Sequence, residues 1–66
     1  MTVEINGAPR VVPELRTVAE LVSHLALPRA ALLVEHNDTA LRRDEWGSVA
    51  LADGDRVEIL RIAAGG

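Results

Sequence analysis

Residues 53–66 read Asp53-Gly54-Asp55-Arg56-Val57-Glu58-Ile59-Leu60-Arg61-Ile62-Ala63-Ala64-Gly65-Gly66, and how this stretch divides decides the fold. Asp-Gly-Asp is tight-turn chemistry, because Gly accepts positive φ and Asp bonds its own backbone. Arg56 to Ile62 then reads as a strand, with Val57 and Ile59 on one face. If those two face a core, Leu60 and Ile62 fall on the opposite, solvent face. A sheet with one open face normally alternates cleanly between apolar and polar. Exposed aliphatics there are expected to form a partner-docking surface, Leu60 and Ile62, beside the point where the strand ends. Ala63-Ala64-Gly65-Gly66 continues no pattern. The expected division is a single domain over 1–62 and a flexible tail over 63–66.

A strand needs a partner, and the other end of the chain offers one. Met1 to Ile5 alternates, with Val3 and Ile5 on one face, and Asn6-Gly7 follows. Asn-Gly after an alternating run is a strong hairpin signal, because both turn positions must accept positive φ. A second strand runs through Arg10-Val11-Val12, and Pro13 ends it. Thr17-Val18-Ala19-Glu20 reads as a capping box, with Glu20 reaching back to Thr17. Val18, Leu21, Val22 and Leu25 follow at helical spacing, and Pro28 stops the helix near Leu25 or Ala26. Leu32-Leu33-Val34 opens a third strand reaching about His36, Asn37-Asp38 turns, and Thr39-Ala40-Leu41 returns. Arg43 to Ser48 reads as irregular or a single helical turn around Trp46, a plug for the core beside the sheet. One main helix packed on one face of a mixed sheet of four to five strands, with first and last strands paired at its centre, is an α+β roll of the β-grasp (ubiquitin-like) type.

Sixty-six residues without cysteine exclude disulfides, thiolate zinc sites and a cysteine nucleophile. So short a chain buries only about 60% of the surface its unfolded form exposes, so the core must be aliphatic and well patterned. A net charge of -3 argues against nucleic acid, which usually needs a basic face. All seven basic residues are arginine, so the usual isopeptide attachment point is missing from the chain itself. No apolar run approaches the ~20 residues of a membrane span, and no signal-peptide layout opens the chain. The expected location is cytoplasmic, without a membrane partner.

No catalytic constellation emerges. His24 and His36 share no ligand spacing, so no metal site is expected. Ser23 and Ser48 lack triad partners, there is no glycine-rich phosphate loop, and Asp53 and Asp55 flank a glycine as turn residues do. What remains is the C-terminal pair. With glycine usage near 7%, two terminal glycines arise by chance in roughly 0.5% of chains. Four extended residues reach about 13 Å, enough to enter a neighbouring active site. Glycine permits close backbone approach in a narrow channel. Ordering such a tail costs about 1–2 kcal/mol per residue, which the folded body must offset by docking. A carboxylate is a poor electrophile, an acyl-adenylate a good one, and sulfur can displace the adenylate to leave a thiocarboxylate.

Over its whole length the chain resembles the thiamine-biosynthesis sulfur carrier (ThiS) family. The resemblance rests on Val3-Glu4-Ile5-Asn6-Gly7, Thr17 to Leu21, Val34 to Asn37, Leu41 to Arg43, Glu45-Trp46, Leu51 to Arg61 and Gly65-Gly66. It implies a protein co-substrate rather than an enzyme, with no bound cofactor. Gly66 would be adenylated by a ThiF-like adenylyltransferase using ATP, with Gly65 and Ala64 as the tail in the channel. Sulfur would come through a cysteine desulfurase-type donor system and pass from the Gly66 thiocarboxylate to thiazole synthase. Two departures bear on the acceptor: His36-Asn37-Asp38 stands where the family often has an apolar residue and Asn-Gly, and Ile62-Ala63-Ala64 is unusually plain. The same fold and tail also fit the small subunit of molybdopterin synthase, or a carrier for cysteine or thiolated-metabolite synthesis. A ubiquitin-like protein modifier and a non-covalent interaction domain are the readings outside sulfur transfer.

Overall fold

The structure is a computed structural model and describes residues 1–62. The expected tail residues Ala64, Gly65 and Gly66 lie outside the described residues. Strands β1 (Thr2–Ile5) and β2 (Ala8–Val11) form the first hairpin, and helix α1 (Val18–His24) follows. Strands β3 (Leu32–His36), β4 (Thr39–Leu41) and β5 (Arg56–Arg61) complete one five-stranded sheet in the order β2-β1-β5-β3-β4. Among the described strands only β1 and β5 run parallel, with Ile5 opposite Val57; the other neighbours are antiparallel. This is the mixed β-grasp sheet expected from the two ends of the chain.

Val18, Leu21 and Val22 of α1 are buried with Val3, Val34, Val57, Ile59 and Trp46 in one cluster. Fully burying a Val or Leu contributes about 1.5–3 kcal/mol, so this single layer between helix and sheet supplies most of the driving force. Trp46 is its largest member, and the Arg29 guanidinium sits 5.8 Å above the indole ring. The indole Nε1–H has no hydrogen-bond partner among the described residues. A 3₁₀ turn over Arg43–Glu45 delivers Trp46 to the core, as the single-turn reading anticipates.

Three local expectations need correction. The second strand is Ala8–Val11 rather than Arg10–Val12, because the two-residue Asn6-Gly7 turn starts pairing at once, Ile5 against Ala8. Pro9 is tolerated because β2 is an edge strand. Val12 instead leaves the strand and turns into the core. The second correction concerns the cap: Thr17 Oγ1 accepts from the Glu20 N–H at 3.2 Å, but the Glu20 carboxylate accepts from Arg16 N–H, at 2.9 Å, rather than from Thr17. The segment before the helix is held by the loop ahead of β5, with Leu51 N–H donating to Arg16 and Val18 N–H to Val49. Finally, α1 ends one turn-residue early: Leu25 caps it and Ala26 takes φ 57°, well before Pro28 could act. No helix among the described residues is long and apolar enough to cross a membrane.

Candidate functional site

Strand alternation sets the open face of the sheet. Val57 and Ile59 turn inward, so Arg56, Glu58 and Leu60 turn outward. Leu60 is 61% exposed and Ile62, just past the strand, 47%. In β3 the register places Leu33 directly opposite Leu60, and Leu33 is 54% exposed. The Ile62 N–H donates to Ala31 O at 2.7 Å, which holds the chain against the start of β3 up to the last described residue. Leu33, Leu60 and Ile62 therefore form one apolar patch on two hydrogen-bonded strands, next to the tail exit.

Leu60 and Ile62 lie where alternation puts them. Leu33 escapes a reading of the sequence because Leu32-Leu33-Val34 is uniformly apolar, so periodicity does not say which residue points out. Pairing decides it: Leu32 and Val34 are buried and Leu33 is not.

A second constellation joins the two turns at the opposite end of β5. His36 Nε2 lies 2.7 Å from Asp55 Oδ2, with both side chains mostly buried. An ionised carboxylate only accepts, so Nε2 carries the proton toward it. The Ala52 N–H also donates to Asp55 Oδ2, and Asn37 Nδ2 donates to Oδ1 at 3.2 Å. Burial alone would push the Asp55 carboxyl up. The hydrogen bonds from His36, Ala52 and Asn37, with the His36 charge, outweigh it and hold the carboxyl below 3.8. Nearby, Asn37 Oδ1 accepts from Arg56 N–H at 2.9 Å, and the Arg56 guanidinium pairs with Asp38 at 2.7 Å. Every carboxylate oxygen of Asp55 faces a donor from this cluster, which is an arrangement for fixing turns. His36 is thus a structural link between β3 and the turn before β5. The sequence hint was the Asp53-Gly54-Asp55 turn combined with a histidine at a strand end, but only the β3–β5 pairing brings them together. Among the described residues, no group of three or more His, Asp or Glu could hold a metal ion.

Comparison with known proteins agrees with this geometry. The ThiS family profile matches residues 2–66. The crystal structure of a thiamine biosynthesis protein (ThiS) from Geobacter metallireducens superposes with a TM-score of 0.81 at 35% identity, covering 100% of each chain. The solution structure of a thiamine biosynthesis protein from the same organism gives 0.81 and 35%, covering 100% of this chain and 88% of that one. No curated protein matches the chain.

Proposed function

Because this chain belongs to the ThiS family, and so to small sulfur carriers rather than catalysts, we propose that it carries sulfur as a thiocarboxylate on Gly66. The observation that supports this most is the family match running through residue 66, which takes in Gly65-Gly66 behind a strand flanked by an exposed apolar patch. In the first step a Gly66 carboxylate oxygen attacks the α-phosphorus of ATP, releasing pyrophosphate and leaving an acyl-adenylate. The terminal sulfur of a persulfide then attacks the acyl carbon and AMP departs. A thiol cleaves the resulting acyl disulfide, taking the carrier's former partner sulfur into a new disulfide and leaving the thiocarboxylate. This chain supplies only the acyl group and its delivery. A ThiF-like adenylyltransferase, a cysteine desulfurase-type donor and thiazole synthase are the partners in this reading. Leu60 and Ile62, with Leu33, dock them, and Ala64 and Gly65 thread the partner's channel.

Incubation with the activating enzyme, ATP and a persulfide donor, followed by intact mass, tests it. Exchange of one C-terminal oxygen for sulfur is the expected outcome. An unchanged mass, or attachment of the protein to lysines of other proteins, would overturn the carrier chemistry in favour of inertness or protein modification. Leu60→Asp is expected to keep the fold, since the side chain is exposed, and to weaken complex formation with the activating enzyme at least about tenfold.

A further inference from the structure

Beside the apolar patch, Glu35 of β3 stands directly opposite Glu58 of β5. Both are exposed, and neither has an ion-pair partner among the described residues. Like charges facing each other across an antiparallel ladder are destabilising. The surroundings do not relieve this. The residue opposite Glu35 on its other side, in β4, is Ala40. The nearest cation on the same face of β5 is Arg56, and its guanidinium is committed to Asp38. A groove of about 350 Å³ crosses this face over Leu33, Ala40 and Leu60, with Glu35, Asp38 and Glu58 along it. Apolar floor and unbalanced carboxylates thus share one surface, continuous with the patch at the tail exit.

We propose that this groove receives a protein surface in which an apolar side chain is flanked by arginine or lysine, and that it belongs to the enzyme that adenylates the tail. The inference rests on the carrier reading and adds the chemistry of the partner. The groove shares Leu33 and Leu60 with the patch at the end of β5, so an enzyme that adenylates the tail meets this face. The net charge of -3 favours a basic partner surface. A cation placed between Glu35 and Glu58 offsets their repulsion, so docking gains more than either carboxylate would give alone. Complementary charge at such a rim acts chiefly on association rate and its salt dependence.

The test compares wild type with Glu35→Gln, Glu58→Gln and the double variant. It measures thermal stability, the dissociation constant for the activating enzyme at low and high salt, and adenylation in the same samples. The double variant is expected to melt at the same temperature or higher, to bind about tenfold more weakly at low salt, and to lose most of the salt dependence. Unchanged affinity alongside normal adenylation would overturn the groove assignment and leave the carrier reading standing. No adenylation of wild type would overturn both. A lower melting temperature on neutralisation would show that the carboxylates serve the fold, and weakening confined to the sulfur-accepting enzyme would place the groove with that partner; either result refutes the proposal.

Discussion

Asn6 takes φ 51° in the first hairpin turn, as an Asn-Gly pair should, while its side chain also extends the central ladder. Its Oδ1 accepts from the Ile59 N–H at 2.7 Å and its Nδ2 donates to Ile59 O at 3.1 Å. The amide thereby continues the β1–β5 pairing one step beyond the last backbone contact, in the strand that leads to the tail. Asp55 works in a comparable way at the far end of β5. Because its carboxyl is held below 3.8 in the folded state, its stabilisation is complete above that unfolded value and is lost as pH falls through the lower folded one. Urea midpoints are expected to decline on acidification below about pH 4, and Asp55→Asn should lower stability near neutrality while flattening that decline. An acid limb of equal steepness in the variant would refute the role given to Asp55.

Helix α1 has only seven residues, short of the ~12 at which isolated helices become even marginally stable, so its caps and its buried stripe must hold it. The N-terminus is well served by Thr17. The C-terminus is not: Ala26 adopts a left-handed conformation, at φ 57°, that costs a residue with a Cβ roughly 1 kcal/mol. Ala26→Gly is therefore expected to raise the unfolding free energy by about 0.5–1 kcal/mol, read as a higher urea midpoint at unchanged slope. Thr17→Ala should do the reverse, costing about 1 kcal/mol. Of these features the capping threonine was plain in the sequence. The alanine was not, since nothing local marks it as the place where the chain must turn left-handed ahead of Pro28.

One helix, one sheet and a single core leave little redundancy. A domain of this size has roughly 3–10 kcal/mol of stability, taking about 0.05–0.15 kcal/mol per residue. Trp46 fills the centre of that core, and truncating a buried tryptophan to alanine costs about 3–5 kcal/mol. Trp46→Ala is expected to remove about 3–5 kcal/mol, a large share of the total, seen as a much lower midpoint of the far-UV circular dichroism transition. Trp46→Phe should stay folded, because it keeps most of the volume and removes the unpaired buried indole N–H.

Much of this could be read from residue order alone. Strand alternation in Val3, Val57 and Ile59, the Asn6-Gly7 turn and the helical spacing of Val18, Leu21 and Val22 are local signals, so they specify elements and the inward face of each. The same alternation exposed Leu60 and Ile62. The central pairing of first and last strands was expected from the element order. The register and the β3–β5 neighbourhood were decided only across the sheet, because hydrogen bonds between distant segments carry no local signature. That pairing turned Leu33 outward from a uniformly apolar run, joined His36 to Asp55 across the β3–β5 ladder, and set Glu35 against Glu58.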